Sequence, residues 1–554
     1  MLARSGDTRP GRPAVRGPAP ASAFAACFEL AVMTLVFAAA AAWPVPDVNE
    51  TVYLTKARHV ADPAWAAGDF FLETPAGHGV FFVLFGPLVA AVGLERAAWV
   101  GRWLGWLAVA AGFRHAVTGV VDGRWGRLAA AAIFALAART TPMAGEWVLG
   151  GCEAKVFAWA GVFAGIGELV RGRFARAWCA CGAAAALHAL VGGWAMLCLP
   201  VSWLLDRRGQ PPGAAAATAG GVARGVVTPL TAVVAGIVLA AAGMVPAFGL
   251  TAAAGPETRA AAARIYVVER LPHHLLLRTF PEAMIARHLL AVLLWIVLAR
   301  AVPATSARRR LAAFTAATLG ISGVGVLIAL VEPLAPGAAI GLMRFYWFRM
   351  ADIVVPLALA VAAAAALADD AVLGRLLPGR PAVIRALVGG LLAADLACQS
   401  AHWPVPGRDA PPPRADAKVA AGWADVCRWV RDHAPADACF LTPRDAASFT
   451  WRTGRREVVS WKNSPQDAAS LVEWRRRILD CFSRTGSLVD MEKSTAALGA
   501  ERLREVAERY GADHAIVPAE LPCPTPLPFT RLYANGRFAV LRLDRGPSER
   551  DAEP

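Results

Sequence analysis

Charged residues are scarce in this sequence, and lysine is the scarcest of them. Asp, Glu, Lys and Arg make up 18% of the 554 residues, and only five residues are lysines. Hydrophobic residues make up 56% and form many long runs. A run of about 20 apolar residues crosses a bilayer as a helix, because only a helix satisfies its own backbone there. The composition therefore predicts a polytopic α-helical membrane protein.

Several signatures of soluble function are missing. The net charge of +14 comes mainly from arginine, which clusters in short loops between apolar runs. This placement is typical of membrane topology signals, and the chain has no basic stripe with interleaved aromatics, so nucleic acid is excluded as a partner. The polar C-terminal segment contains no GxSxG, HExxH, P-loop or dinucleotide-binding motif.

The cysteines divide between the apolar runs and the C-terminal segment, and they include no CxxC pair. Four of them, Cys427, Cys439, Cys481 and Cys523, lie in the polar C-terminal segment. In an exported domain these four could form two disulfides, with three possible connectivities. Buried free thiols are the equally weighted alternative.

Composition divides the chain into four parts. Residues 1–22 are rich in Arg, Pro and Gly and predict a disordered cytoplasmic tail. Residues 23–403 predict a transmembrane domain with outer loops 44–78 and 250–285. Residues 404–545 predict an extracytoplasmic α/β domain, here called the tail domain. Residues 546–554 predict a second disordered tail.

The transmembrane domain is predicted to contain about eleven helices. The first run, Ala23 to Trp43, exceeds the usual length of a signal peptide and predicts an uncleaved helix with a cytoplasmic N-terminus. The later runs lie near 79–94, 97–120, 127–138, 154–170, 175–205, 222–249, 286–303, 311–331, 347–368 and 382–401.

The arginines between these runs set the predicted orientation. Arg300, Arg308 to Arg310 and Arg375 favour the cytoplasm, which leaves the tail domain outside. Arg171, Arg173 and Arg176 also favour the cytoplasm, yet simple counting places them outside. Splitting the run 175–205 at Gly192 and Gly193, and merging two crossings near 79–121, removes this conflict without moving the tail domain.

The tail domain is predicted to alternate helices and strands in a small layered sheet. Its Asn-Gly turn within residues 532–543 is a strong hairpin signal. The predicted strands are 438–442, 457–461, 515–518 and this hairpin, and the predicted helices are 425–433, 467–482 and 498–510.

The first outer loop carries the leading catalytic candidates. Asp47 and Glu50 follow the first helix directly, with Asn49 between them, and Glu73 and His78 precede the next run. Carboxylates at a membrane surface can bind a divalent ion or accept a proton from an attacking hydroxyl. The alternative is ordinary interfacial charge with helix capping.

A second group of candidates lies at the mouth of an apolar run and within one. Glu146, Glu153 and Lys155 are at the mouth, and His188 lies deep in a long run. Ionisable groups at membrane depth are costly and commonly face a cavity or a partner. For His188 a satisfied buried imidazole is equally compatible with the sequence.

Basic side chains in two later loops are candidates for binding a phosphate group. The residues are Arg264, Arg270, His273, His274, Arg344 and Arg349. The adjacent histidines make a poor chelate by themselves, because neighbouring residues of a helix point about 100° apart. Arg349 and Asp352 are three positions apart on a helix, so a simple ion pair between them is the alternative.

The tail domain contributes one weaker candidate group. Trp461, Lys462 and Arg455 could contact a sugar, since aromatic faces stack on sugar rings and on cations. A structural cap over the membrane domain is the favoured role for the tail domain.

These features together resemble the GT-C glycosyltransferases, membrane enzymes that transfer a sugar from a polyprenyl-phosphate carrier. The resemblance comes from the first helix, the acidic outer loop PDVNETVYLTKARHV, the number of helices and the C-terminal outer domain. It is greatest for uncharacterised bacterial members. GT-C enzymes carry an Asp in the first loop, often beside another acid. Here the pattern is Asp47-Val-Asn-Glu50, so either acid could be the matching residue, and this departure leaves the base unassigned.

The resemblance implies a membrane glycosyltransferase of the bacterial inner membrane. Its partners would be membrane lipid, a polyprenyl-phosphate-linked sugar and a glycan or protein acceptor. A first-loop acid would be the general base, arginines would stabilise the lipid phosphate, and a divalent metal ion could assist through Asp47, Glu50 or a histidine. The alternatives are a transporter or flippase of lipid-linked saccharides and a non-catalytic envelope assembly protein.

Overall fold

A computed structural model of the chain describes residues 23–41, 43–208, 229–376, 380–404, 416–521 and 527–543. The two predicted disordered tails, residues 1–22 and 546–554, lie outside the described residues, as does Cys523.

The first part of the chain is helical throughout. Its α-helices are α1 (Ala23–Ala40), α2 (Glu50–Ala61), α3 (Phe70–Glu73), α4 (Gly79–Val92), α5 (Leu94–Thr118), α6 (Arg124–Thr140), α7 (Ala154–Val170), α8 (Phe174–Leu187), α9 (Ala189–Arg208), α10 (Pro229–Ala252), α11 (Pro256–Arg264), α12 (Pro272–Leu275), α13 (Glu282–Ala301), α14 (Ser306–Val331), α15 (Pro336–Met343), α16 (Arg349–Ala368), α17 (Asp370–Leu376) and α18 (Pro381–Ser400). A π-helical turn, Ile265–Arg270, follows α11.

Seven of the described helices are long and apolar enough to cross a membrane, namely α1, α9, α10, α13, α14, α16 and α18. Large apolar side chains remain exposed along them, including Leu289 and Leu293 on α13 and Leu387 and Leu391 on α18. Apolar surface of this extent is typical of contact with lipid. The predicted multi-pass membrane architecture is confirmed.

The opposite ends of these helices define two faces of the bundle. On one face, here called the arginine face, Arg310 donates to Asp206 at 3.2 Å and to the carbonyl of Val170 at 3.2 Å. Arg171 on the same face donates to the carbonyl of His115 at 2.8 Å. The loop around Arg171 therefore lies with the later arginines, as positive charges at loops prefer.

Two local features accompany this arrangement. Helix α4 has only 14 residues and packs along α2, with Arg58 donating to the carbonyl of Ala90 at 3.1 Å. The long run 175–205 divides into α8 and α9 at His188, not at the Gly192–Gly193 pair. The arginine pattern predicted a division of this run, and the merging of two crossings near 79–121 stays a prediction. The break moves to His188 because its backbone is extended.

The tail domain contains helices α19 (Ala417–His433), α20 (Phe449–Thr453), α21 (Ala468–Phe482) and α22 (Ala500–Tyr510), and strands β1 (Cys439–Leu441), β2 (Arg456–Glu457), β3 (His514–Pro518), β4 (Thr530–Ala534) and β5 (Phe538–Arg542). The sheet order is β2-β1-β3-β5-β4, with β1 parallel to β2 and β3. The remaining pairs are antiparallel. The α/β architecture is confirmed.

Local hydrogen bonds explain the hairpin and the short second strand. The side chain of Asn535 accepts from the backbone N–H of Phe538 at 2.9 Å, which closes the turn between β4 and β5. Strand β2 ends at Glu457, earlier than predicted, because residues of the following turn donate hydrogen bonds to the buried carboxylate of Glu457. That carboxylate accepts from Ser460 and Asn463 at 2.9 Å each and from Thr442 at 3.0 Å.

The three described cysteines of the tail domain are free and buried. Cys427 lies in α19, Cys439 in β1 and Cys481 in α21. Of the two alternatives that the sequence left open, these three follow the buried thiol.

The tail domain docks on the two predicted outer loops, which form the second face of the bundle, here called the site face. Asp69 accepts from the backbone N–H of Glu457 at 3.0 Å, and Gln466 accepts from that of Gly77 at 2.8 Å. Arg475 pairs with Glu269 at 2.7 Å. The tail domain is therefore held by polar contacts to both loops.

We predict that Glu457 makes the stability of the docked tail domain depend on pH. Burial, and then the nearby charge of Asp69, raises the pKa of Glu457 to about 7. A carboxyl with a raised pKa stabilises the fold fully below its unfolded pKa of about 4.5, and that contribution is lost as the pH rises through about 7. Glu457→Gln cannot ionise. The melting temperature of this variant, relative to that of the wild type, should therefore increase from about pH 5 to about pH 8.

The measurement is thermal unfolding of both proteins in detergent over this pH range. Glu73→Gln is the matched control, since Glu73 is half exposed and its pair with His59 is long, at 3.6 Å. Parallel pH profiles for wild type and Glu457→Gln would contradict the prediction.

Candidate functional site

The loop between α6 and α7, residues 141–153, is here called the site loop, and buried carboxylates hold it from both ends. At its start, Asp352 of α16 accepts from the backbone N–H groups of Met143, Ala144 and Glu146 at 2.8, 3.0 and 3.0 Å. Buried backbone donors must find acceptors, and an irregular loop has none of its own. Asp352 therefore fixes the path of the chain up to Glu146.

The first outer loop holds the other end of the site loop. Asp47 accepts from the N–H of Gly151 at 2.9 Å, and Glu50 accepts from that of Cys152 at 2.8 Å. A Cβ atom at position 151 would lie 2.8 Å from the Cβ of Asp47 and from Oε1 of Glu50. Glycine is required at position 151 because the two acids approach the backbone so closely.

Hydrogen-bond donors surround the carboxylate of Glu50. Its side chain is fully buried and forms a two-bond pair with Arg102, at 2.7 and 2.8 Å. It also accepts from the N–H of Asp47 at 2.7 Å, and Arg102 donates further to the carbonyls of Trp43 and Pro44. With these bonds and the one to Cys152, both oxygens of Glu50 are used.

A cavity of 880 Å³, here called the site cavity, opens among the site loop, the bundle and the tail domain. Its end at the site face is polar and charged, while its other wall is apolar and formed by α8, α9 and α10. The charged end includes Asn49, Glu146, Glu153, Lys155, Arg349 and Lys462. The apolar wall includes Trp178, Trp194, Leu197, Ile237, Met244 and Phe248.

Four charged side chains at this end neutralise one another. Arg349 pairs with Glu146 at 3.0 Å, and Lys155 lies 3.8 Å from Glu146 and 3.9 Å from Glu153. The ammonium group of Lys155 also stands over the ring of Trp147, 3.2 Å from its centroid. The structure contradicts the alternative pair of Arg349 with Asp352, because Asp352 is engaged by the site loop.

Asn49 joins the site loop to the tail domain. Its amide donates to Glu153 at 2.7 Å, and its carbonyl oxygen accepts from Lys462 at 2.9 Å. Glu153 accepts further from Trp147 at 2.8 Å. Burial raises the pKa of Glu153. The nearby charge of Lys155 lowers it and that of Asp47 raises it, and the net effect is a raised pKa. The sequence identified Lys462, beside Trp461, as a candidate for sugar contact, but it did not predict the contact with Asn49.

Asp47 lies at a second cavity of 1760 Å³, between the bundle and the tail domain, here called the tail cavity. Glu146 and Trp147 line both cavities, so the two spaces adjoin along the site loop. Burial, and then the charge of Glu50, raises the pKa of Asp47, while Arg102 opposes the rise. Asp47 is thus a carboxyl group beside an accessible space.

Three candidate histidines, His78, His188 and His274, pack at the wall of the site cavity. His78 and His188 both line the site cavity with ring centroids 4.8 Å apart, and Tyr53 contacts His78 at 3.3 Å. His274 contacts the carbonyl of Ala144 at 2.6 Å. Burial lowers the pKa of His274 to about 4, so it carries no charge near neutrality.

Most of the candidate residues from the sequence line the site cavity. Those that line the site cavity are Asn49, His78, Glu146, Glu153, Lys155, His188, Arg270, His274, Arg344 and Arg349. Four candidates, Glu50, Glu73, Arg264 and His273, line neither of the two cavities. Arg455 is also remote, since it donates to the carbonyls of Arg431 and Ala434 within the tail domain.

The donor set does not fit the divalent ion that the resemblance allowed. Among the described residues, no group of three or more His, Cys, Asp and Glu side chains could hold a metal ion. The oxygens of Glu50 face a guanidinium group and backbone N–H groups, which are hydrogen-bond donors and exclude a cation.

Comparisons with known proteins give two similarities. A family described as a domain of unknown function, DUF6798, matches residues 421–481. No curated protein matches the chain. Among solved structures, the chain is similar to arabinofuranosyltransferase AftD from Mycobacteria, with 16% sequence identity and a TM-score of 0.46. That similarity covers 95% of this chain and 42% of the AftD chain, so this chain spans less than half of AftD's length.

We predict that Glu50→Gln destabilises the membrane domain by about 3–5 kcal/mol, because it leaves the buried guanidinium group of Arg102 without a charged partner. The measurement is unfolding in mixed micelles. Asp62→Asn is the matched control on the same loop, since the pair of Asp62 with Arg58 is partly exposed and should contribute less than about 1 kcal/mol. Equal stability of Glu50→Gln and Asp62→Asn would refute the structural role.

Proposed function

We propose that this protein is a membrane glycosyltransferase that moves a sugar from a polyprenyl-phosphate donor to an extracytoplasmic acceptor. One observation carries the proposal. The site cavity joins a charged end at the site face to an apolar wall within the bundle. A lipid-linked phosphate has the same division, with a long apolar chain and a charged head.

The donor would lie along the apolar wall with its head at the charged end. The chain would pass from the bilayer onto an apolar surface that includes Leu197, Ile237 and Phe248, so it would not be exposed to water. The phosphate of the head would lie among the basic side chains that line this cavity. Negative charge grows on that phosphate as the sugar departs, and fixed cations stabilise it most in a site that excludes water.

Asp47 is the proposed general base. The acceptor hydroxyl oxygen forms a bond to the anomeric carbon, and the bond from that carbon to the phosphate oxygen breaks. The phosphate leaves with the electron pair, and Asp47 takes the hydroxyl proton. Its raised pKa suits this step, because proton transfer is most efficient when the pKa of the base lies nearer the working pH.

The alternative carboxylates are less suitable. Glu50 is paired with Arg102, and Glu153 accepts from the side chains of Asn49 and Trp147. Each oxygen of Asp47 accepts one backbone N–H, from Val48 or Gly151, and has no side-chain donor among the residues that the structure describes. Asp47 alone among the first-loop acids lines a cavity, the tail cavity, which would admit the acceptor. Glu50 and Glu153 would then position the base and the site loop.

We propose that the site face lies on the extracytoplasmic side of a bacterial inner membrane. The opposite face carries Arg171, Arg308 and Arg310 at short loops, and such arginines favour the cytoplasm. The tail domain and both cavities would then face the compartment that contains extracytoplasmic glycan or protein acceptors.

We expect Asp47→Asn to lower sugar transfer by about a hundredfold or more, since an amide cannot take the proton. The measurement is transfer from radiolabelled polyprenyl-phosphate sugars by the full chain in lipid vesicles. Wild-type activity should increase with pH as Asp47 loses its proton, and any residual activity of Asp47→Asn should lack that increase.

Asp62→Asn is again the control, because it removes one carboxylate from the same outer loop outside both cavities. Unchanged transfer by Asp47→Asn would rule out Asp47 as the base. Movement of the labelled lipid across the vesicle membrane without any transfer would favour a flippase instead.

A further inference from the structure

We infer that the tail domain supplies Lys462 to the donor site, where it and Arg270 form an anion subsite for the phosphate of the lipid carrier. This inference rests on the proposed function for its choice of ligand. It gives the tail domain a role in substrate binding beyond that of a cap.

Lys462 is built to project from the tail domain into the site cavity. It lies in the turn after β2, where Ser460 and Asn463 donate hydrogen bonds to the carboxylate of Glu457. Its ammonium group then reaches Asn49 of the first outer loop at 2.9 Å. A side chain held by its own domain at one end and by the membrane domain at the other is fixed at the boundary of the two.

Arg270 lies beside it with its charge uncompensated. The residue is 8% exposed, and its Nε atom has no hydrogen-bond partner. Its contact with the carbonyl of Lys462 is long, at 3.4 Å, and its guanidinium group lies 5.5 Å from the ring centroid of Trp461. A buried charged donor without a partner is costly, so its retention here indicates a ligand.

The balance of charge distinguishes this subsite from the rest of the cavity. Lys155 and Arg349 are paired with Glu146 and Glu153. Among the described residues, no ion pair joins Arg270 or Lys462 to a carboxylate. Burial, and then the adjacent charge of Arg270, lowers the pKa of Lys462 to about 8.

A third cation lines the same cavity. Arg344 donates a side-chain hydrogen bond to the neutral hydroxyl of Thr251 at 3.2 Å. Three basic groups around one polar space favour a phosphate, whose oxygens accept several charge-assisted bonds at once. The apolar wall of the same cavity makes a lipid phosphate the expected source, in preference to free phosphate.

The matched family segment, residues 421–481, includes Lys462. The inference therefore assigns a concrete contribution to that segment in this chain. It closes the site cavity and places one positive charge where the donor's head would lie.

The test is binding of undecaprenyl phosphate to the purified full chain in detergent, measured by ligand-induced thermal stabilisation. Lys462→Met should weaken binding by about tenfold or more, the loss expected for one charge-assisted hydrogen bond. Lys462→Arg should retain most of the affinity. Lys418→Met is the matched control, because Lys418 is an exposed lysine of the same domain that lines neither cavity.

Two further ligands identify the source of the anion. The uncharged alcohol undecaprenol should bind wild type and Lys462→Met equally, since it lacks the phosphate. Inorganic phosphate should stabilise the protein only weakly. Stabilisation by inorganic phosphate equal to that by the lipid would overturn the assignment to a lipid carrier.

Unchanged affinity of Lys462→Met for undecaprenyl phosphate would overturn the inference. Where Lys462→Met fails to fold, Arg270→Met tests the same subsite from the membrane domain. Loss of lipid binding in Lys462→Met without sugar transfer by any variant would uphold the inference and refute the proposed transferase. Normal lipid binding by Lys462→Met, with transfer abolished by Asp47→Asn, would do the reverse.

Discussion

The site depends on how the backbone of residues 141–153 satisfies its N–H groups. This loop has no regular structure, yet it is buried among helices, so its donors need acceptors from elsewhere. Asp47 and Glu50 accept at one end, and Asp352 accepts at the other. Arg102 offsets the charge of Glu50. Because the loop is clamped in this way, Glu146 and Glu153 project from a fixed backbone into the cavity.

The clamp shows why carboxylates of similar appearance have different roles. Asp47 and Glu50 are three positions apart, and their spacing gives no means to choose between them. The difference comes from Arg102, which lies within an apolar run 52 residues beyond Glu50 and takes both oxygens of its carboxylate. Asp47 has no such partner and remains beside open space. A carboxylate's contacts, more than its place in a motif, decide whether it can accept a proton.

Features with a local signal in the sequence were predictable, and contacts between distant residues were not. Apolar runs and arginine-rich loops predicted the membrane helices and the side of residues 171–173, because both signals are local. The Asn535–Gly536 turn predicted the hairpin for the same reason. The packing of α4 along α2 and the contact of Lys462 with Asn49 are not local. The latter joins residues 413 positions apart, and no pattern in one sequence specifies such a pair.

These distant contacts also couple the two domains energetically. The tail domain docks through Asp69 and Gln466, while Lys462 extends into the cavity beneath it. A ligand that contacts Lys462 and Arg270 together binds only the docked arrangement, so its binding free energy stabilises docking. Docking in turn prepares the subsite, since an undocked tail domain would remove Lys462 from the cavity. Under the proposed function, binding of the carrier and docking of the tail domain form one linked equilibrium.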